Sequence, residues 1–214
     1  PGPRLYESGD SAAQGERALG SGLPGSGRSS DDVVFLVTAI DRATGRGLWE
    51  YEAEAEGRLT AVHEKHNLAS SSPVTDGERV YAWFGNGQIV ALDMNGDLVW
   101  ERSLGTEYGP FSINWGHGSS PTIYNGTVIL LCYHETSSYM LGLDGKTGQN
   151  TWKVDSPGGA VSYSTPLVVE GPDSAEIVVN SSSGMAGHDI ATGRQLWQVQ
   201  ESNRFPIPMP IEND

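Results

Sequence analysis

Cys132 is the only cysteine among 214 residues, so no intrachain disulfide can form. Cations are scarce. Thirteen Lys and Arg face 27 Asp and Glu, for a formal net charge of -14 and a pI near 4.6. That balance excludes the clustered cationic surface a nucleic-acid groove requires. Long apolar runs are missing too. The longest, such as Val128 to Tyr133, are strand-sized, and none approaches the roughly 18 residues of a transmembrane segment. No stretch carries a clean helical stripe; the best candidate, Tyr51 to Lys65, is interrupted by Gly57. A Gly-x-Ser-x-Gly elbow and a phosphate-binding loop are both lacking. The apolar fraction of 37%, with 28 glycines outside it, still suffices for a globular core.

Composition divides the chain into three. Residues 1–31 are rich in Gly, Ser and Ala with few large apolar side chains, the signature of a flexible arm. Residues 32–204 carry short β-branched and aromatic runs bounded by Gly, Asn, Asp and Pro. Val33–Val37, Arg79–Phe84, Thr127–Leu131 and Glu176–Val179 are the clearest strands. Residues 205–214 hold Pro206, Pro208 and Pro210 at alternate positions, which imposes an extended tail or the start of a further inner strand.

Within the middle region one unit repeats. Asp41-Arg-Ala-Thr44-Gly45 leads to Trp49, Asp93-Met-Asn-Gly96 to Trp100, Asp144-Gly-Lys-Thr147-Gly148 to Trp152, and Asp189-Ile-Ala-Thr192-Gly193 to Trp197. The tryptophans lie 51, 52 and 45 residues apart. Upstream of the last three stand Ser71-Ser72-Pro73, Ser119-Ser120-Pro121 and Ser164-Thr165-Pro166. The Asp carboxylate suits a tight turn, accepting from the following N–H groups, and Gly supplies its positive φ. The Trp then falls in the returning strand, where a large ring can wedge against a neighbouring sheet. About 45–50 residues per unit is the size of a four-stranded propeller blade.

This motif, Asp-x-x-Thr-Gly-x-x-x-Trp with Ser-Ser-Pro upstream, resembles the tryptophan-docking repeat of pyrroloquinoline-quinone-type, or quinoprotein-like, β-propellers, over about Val33 to Gln200. The resemblance implies an all-β fold of antiparallel blades locked by Trp49, Trp100, Trp152 and Trp197 with their Asp turns. The blades fall at about 66–105, 117–154 and 163–200, after a shortened first one. Family rings usually close with seven or eight blades, so the chain is expected to be part of a longer protein, to pair with another copy, or to pack on other subunits. An open half-ring exposes more apolar surface than a soluble monomer tolerates.

The superfamily includes quinone-dependent alcohol and sugar dehydrogenases, non-enzymatic scaffolds and secreted bacterial proteins, and it implies a periplasmic, envelope or secreted location. In the alcohol dehydrogenases the quinone stacks between a Trp and an adjacent-cysteine disulfide, with Ca²⁺ held by Glu, Asn and Asp. A lone Cys132 cannot make that disulfide, and it reads as a buried structural thiol. No acidic cluster stands at recognisable metal spacing, and His63-x-x-His66 reads as loop. The expectation is therefore a non-catalytic module that binds protein partners, with no cofactor and no metal. The alternatives are part of a dehydrogenase using pyrroloquinoline quinone with calcium, and a carbohydrate- or small-ligand-binding propeller. Any ligand should meet the loops leading into the inner strands: His66 and Asn67, Trp115 and His117, and Tyr163.

Overall fold

The computed structural model describes residues 4–5, 33–57, 59, 63, 66–135, 137–156, 159–172, 174–200 and 206–212. Apart from Arg4–Leu5, the expected arm over residues 1–31 lies outside the described residues.

The described residues are all-β: three four-stranded antiparallel sheets, one smaller sheet, and a single helical turn, α1 (Leu104–Glu107). The smaller sheet pairs β2 (Val34–Ile40) with β3 (Gly47–Glu54), and the two residues of β1 (Arg4–Leu5) lie against β3. The second sheet contains β4 (Val74–Thr75), β5 (Arg79–Trp83), β6 (Gln88–Asp93) and β7 (Leu98–Ser103), in that order. The third contains β8 (Thr122–Tyr124), β9 (Thr127–Tyr133), β10 (Ser138–Asp144) and β11 (Asn150–Asp155). The fourth contains β12 (Leu167–Glu170), β13 (Ala175–Ser181), β14 (Gly184–Asp189) and β15 (Gln195–Val199). Tyr51–Glu54, the start of the one helix candidate, is the end of β3. Each four-stranded sheet is a meander, and at the hub β8 touches both β4 and β12. This is a partial propeller. Its first blade lacks the two inner strands that the other three have among the described residues.

Side-chain alternation explains the packing. In β9, Val128, Leu130 and Cys132 face the second blade, and Ile129, Leu131 and Tyr133 face the fourth. A strand buried on both faces must be apolar throughout, and all of these are 5% exposed or less. β2 has only one neighbour. Phe35 and Val37 enter the core, Phe35 stacking on Phe84 of the next blade at 4.2 Å, while Val34, Leu36 and Ile40 are exposed. Each buried Leu, Ile or Val contributes about 1.5–3 kcal/mol, so the three inter-blade cores dominate stability.

Three of the repeated turns share one geometry, with the Gly45, Gly148 and Gly193 N–H groups donating to the Asp41, Asp144 and Asp189 carbonyls; the Asp93 turn is one residue shorter. The carboxylate of Asp144 accepts from the Lys146 and Thr147 N–H groups at 3.0 and 2.8 Å; that of Asp189 accepts from the Thr192 N–H at 2.9 Å. Bonds from the Thr44 side chain, the Asp97 N–H and the Thr147 side chain hold the carboxyls of Asp41, Asp93 and Asp144 below the ordinary range. A bulge recurs at one position in all four blades, at Ala39/Ile40, Ala91/Leu92, Gly142/Leu143 and Gly187/His188. It sets the tryptophan, which directly follows the unpaired residue, against the penultimate strand.

Candidate functional site

Three indoles dock on the next blade. The Trp49 N–H donates to the Met94 carbonyl at 3.0 Å, and the Trp100 N–H to that of Gly145 at 2.9 Å. Each acceptor directly follows the turn Asp of the next blade. The rings lie flat on the turn glycines: a Cβ at Gly96, Gly148 or Gly193 would stand 2.6–2.7 Å from the ring of Trp49, Trp100 or Trp152. On its other side the Trp152 ring covers Gly142 of its own blade. Trp197 covers Gly187 in the same way, but among the described residues no turn glycine lies against its outer face. It is 38% exposed, and its N–H bonds the Glu176 carboxylate of its own blade at 2.7 Å.

The loops entering the inner strands meet at the hub. His66, Trp115 and Tyr163 line a cavity of about 450 Å³ with Ser70, Gly116, Gly118 and Ile207. The equivalence of these loops in the repeat is what assembles the three. Trp115 is 46% exposed and tilts against His63 at 4.4 Å. Burial pushes the Tyr163 hydroxyl up and the His66 imidazole down. His66 lies on Gly116, where any Cβ would collide with its ring. Its Nδ1 accepts the Leu68 N–H at 3.0 Å, so Nε2 carries the proton and donates to the His117 carbonyl at 3.0 Å. Leu68 is itself in the left-handed region, φ 63°, and its carbonyl accepts from Gly85 N–H at 2.6 Å. Both ring nitrogens of His66 are thus consumed in shaping the wall.

Two predicted members stand elsewhere. His117 is 1% exposed, behind the wall, with its ring 4.3 Å from Trp83 and 5.2 Å from Phe111. Its position in a Gly-flanked loop gave no sign of this burial. Its Nε2 lies 3.2 Å from the Leu131 carbonyl, and burial pushes its pKa down to about 3. His134, 4.6 Å from Phe111, is likewise depressed to about 4 by burial. Asn67 is exposed and caps the Ala69 N–H at 3.1 Å. Ile207 is a lining residue that sequence reasoning missed. The Pro-rich tail brings it in: the Pro206 carbonyl accepts from the Tyr163 N–H at 3.1 Å, and the Pro208 carbonyl from Ser164 Oγ at 2.9 Å. Pro208 thereby stands to Ser164 as Ser119 stands to Ser71, whose hydroxyl donates to the Ser119 carbonyl at 2.8 Å.

Among the described residues no three His, Cys, Asp or Glu side chains come together to hold a cation. Cys132 is buried in β9 and its thiol is pushed up by burial. No helix among the described residues is long and apolar enough to cross a membrane.

The family described as outer membrane protein assembly factor BamB matches residues 33–205. A quinohemoprotein alcohol dehydrogenase, ADH IIB of Pseudomonas putida, is 25% identical over 140 residues, covering 63% of this chain and 20% of that protein. The outer membrane protein assembly factor BamB of Moranella endobia is 25% identical over 118 residues, covering 55% of this chain and 26% of that protein. The crystal structure of BamB from Moraxella catarrhalis superposes with a TM-score of 0.54 at 21% identity, over 84% of this chain and 47% of that one. The chain thus spans 20% and 26% of these curated relatives and about half of the solved one.

Proposed function

The chain belongs to this BamB family of propellers with quinoprotein-like repeats, and from that membership we propose that it is a non-catalytic module that binds protein partners in the cell envelope. The observation that carries the reading is the state of the hub cavity. Its one imidazole is engaged at both nitrogens and held neutral by burial. What faces the opening is aromatic and aliphatic: Trp115, Tyr163 and Ile207. General acid–base chemistry needs a group free to take or give a proton, and this wall offers a surface to pack against instead. An exposed aromatic flanked by apolar side chains suits anchor residues of an extended polypeptide. That the family and its Moranella endobia member are outer membrane protein assembly factors supports a partner among outer-membrane proteins.

The test is a fluorescence titration with peptides of alternating aromatic and polar residues. Saturable change is expected in the wild type and loss of it in Trp115→Ala with an unaltered circular dichroism spectrum. Dye-linked turnover of alcohols or sugars after adding pyrroloquinoline quinone and calcium would overturn the reading. A response confined to glycans would move it to carbohydrate binding.

A further inference from the structure

The hub cavity adds a charge asymmetry to its aromatic wall. Trp115 and Tyr163 line it, and among the described residues no Lys or Arg does. The one imidazole in the lining, His66, is neutral, because burial pushes its pKa down and its Nδ1 accepts the Leu68 N–H. A carboxylate stands where the two aromatic loops meet. The Glu135 N–H donates to the carbonyl of Ser112, on the loop that carries Trp115, at 2.8 Å. The N–H of Ser162, next to Tyr163, donates to the carbonyl of Tyr133, two residues before Glu135, at 3.3 Å. These two bonds hold exposed Glu135 between the loops. Its charge reaches the cavity: burial and then Glu135 push the Tyr163 hydroxyl up, against a hydrogen bond with the Trp115 backbone. Gly118, also in the lining, has open space around it. A Cβ there meets nothing within 4 Å, and its φ is outside the left-handed region.

We propose that this cavity takes the guanidinium of an arginine on an extended segment of a protein partner, laid against the Trp115 and Tyr163 rings and paired with the Glu135 carboxylate. The inference rests on the protein-binding reading above and names the anchor. A cation is drawn to the faces of aromatic rings, Trp most strongly, and gains more as water leaves. Arginine suits this wall better than lysine. Its planar, weakly hydrated guanidinium can lie on a ring while its N–H fork reaches a carboxylate. Its aliphatic stem packs on Ile207, which is 65% exposed. The formal net charge of -14 adds long-range attraction for a basic segment. An acidic anchor would be repelled by Glu135, and an aliphatic one would strip water from that carboxylate without giving it a partner.

Calorimetric titration of the full 214-residue chain with two peptides tests it. Both alternate Phe and Ser; one carries a central Arg, the other citrulline, which keeps the shape and removes the charge. The Arg peptide should bind about tenfold more tightly, and added salt should narrow the gap. Glu135→Gln should remove most of that preference and leave citrulline binding unchanged. Gly118→Leu, which fills the cavity without backbone strain, should abolish binding of both peptides with an unaltered circular dichroism spectrum. Equal affinities for the two peptides overturn the arginine anchor and leave the protein-binding reading standing. Binding of neither peptide overturns both. Undiminished binding to Gly118→Leu overturns the proposal by placing the contact elsewhere, and so does binding of phosphatidylcholine vesicles in place of the Arg peptide.

Discussion

Trp49 and Trp197 occupy the same place in the same repeat, yet they live in different surroundings. Trp49 is 6% exposed between its own strand and the turn of the next blade; Trp197 is 38% exposed, with only its own strand behind it. The turn and the bulge recur in both blades, but β3 is paired with β1 as well as β2, whereas β15 pairs only with β14 among the described residues. The difference is the neighbour. Docking free energy in this fold therefore belongs to the pair of blades, which is how repeat proteins distribute stability.

The comparison breaks most visibly if the two indoles are cut back. Trp49→Ala should cost about 3–5 kcal/mol in urea unfolding, because it empties a sealed site. Trp197→Ala should cost about 1 kcal/mol. Equal losses would mean that the indoles serve their own sheets alone. The turn glycines give the reciprocal test. Gly96→Val adds a Cβ 2.7 Å from the Trp49 ring at φ +88°, and should destabilise by about 2–4 kcal/mol. Gly45→Ala meets open space and carries only the left-handed penalty of about 1–2 kcal/mol.

Acid sharpens the contrast between sealed and open regions. His117 and His134 stay neutral when folded, with pKa values of about 3 and about 4, whereas the unfolded chain protonates near 6.5. Below pH 6.5 the unfolded state binds more protons, so stability is full above that pH and falls as pH drops toward 4 and then 3. The slope approaches about 1.4 kcal/mol per pH unit for each group. Chemical denaturation at pH 7, 6 and 5 measures it, and His117→Phe should flatten the curve. The smallest effect is at the cavity mouth: Trp115→Ala should leave stability within about 0.5 kcal/mol, since the ring is half solvated. A larger loss would make Trp115 part of the core.

Much of this was legible without coordinates. Gly85-Asn86-Gly87 reads as a hairpin turn and lies between β5 and β6, with Gly87 at φ +85°. The run Thr127–Leu131 reads as a buried strand and is one, extended to Tyr133. These follow from local chemistry, because turns and strand faces depend on neighbours along the chain. The burial of His117 is illegible in the sequence for the opposite reason. Nothing near it in sequence tells that Trp83 and Phe111, on other segments, close over its ring. Ile207 was missed because its place depends on the Pro206 and Pro208 carbonyls finding Tyr163 and Ser164.

Four copies of an Asp turn and a tryptophan seven or eight residues on were enough to dictate antiparallel leaflets of blade size, since each copy folds by contacts within its own 50 or so residues. Which indoles are sealed, which imidazole is held behind the hub wall and which faces stay open could be settled only by stacking the blades. Those properties depend on side chains brought together from different repeats, and chain order carries no record of that geometry.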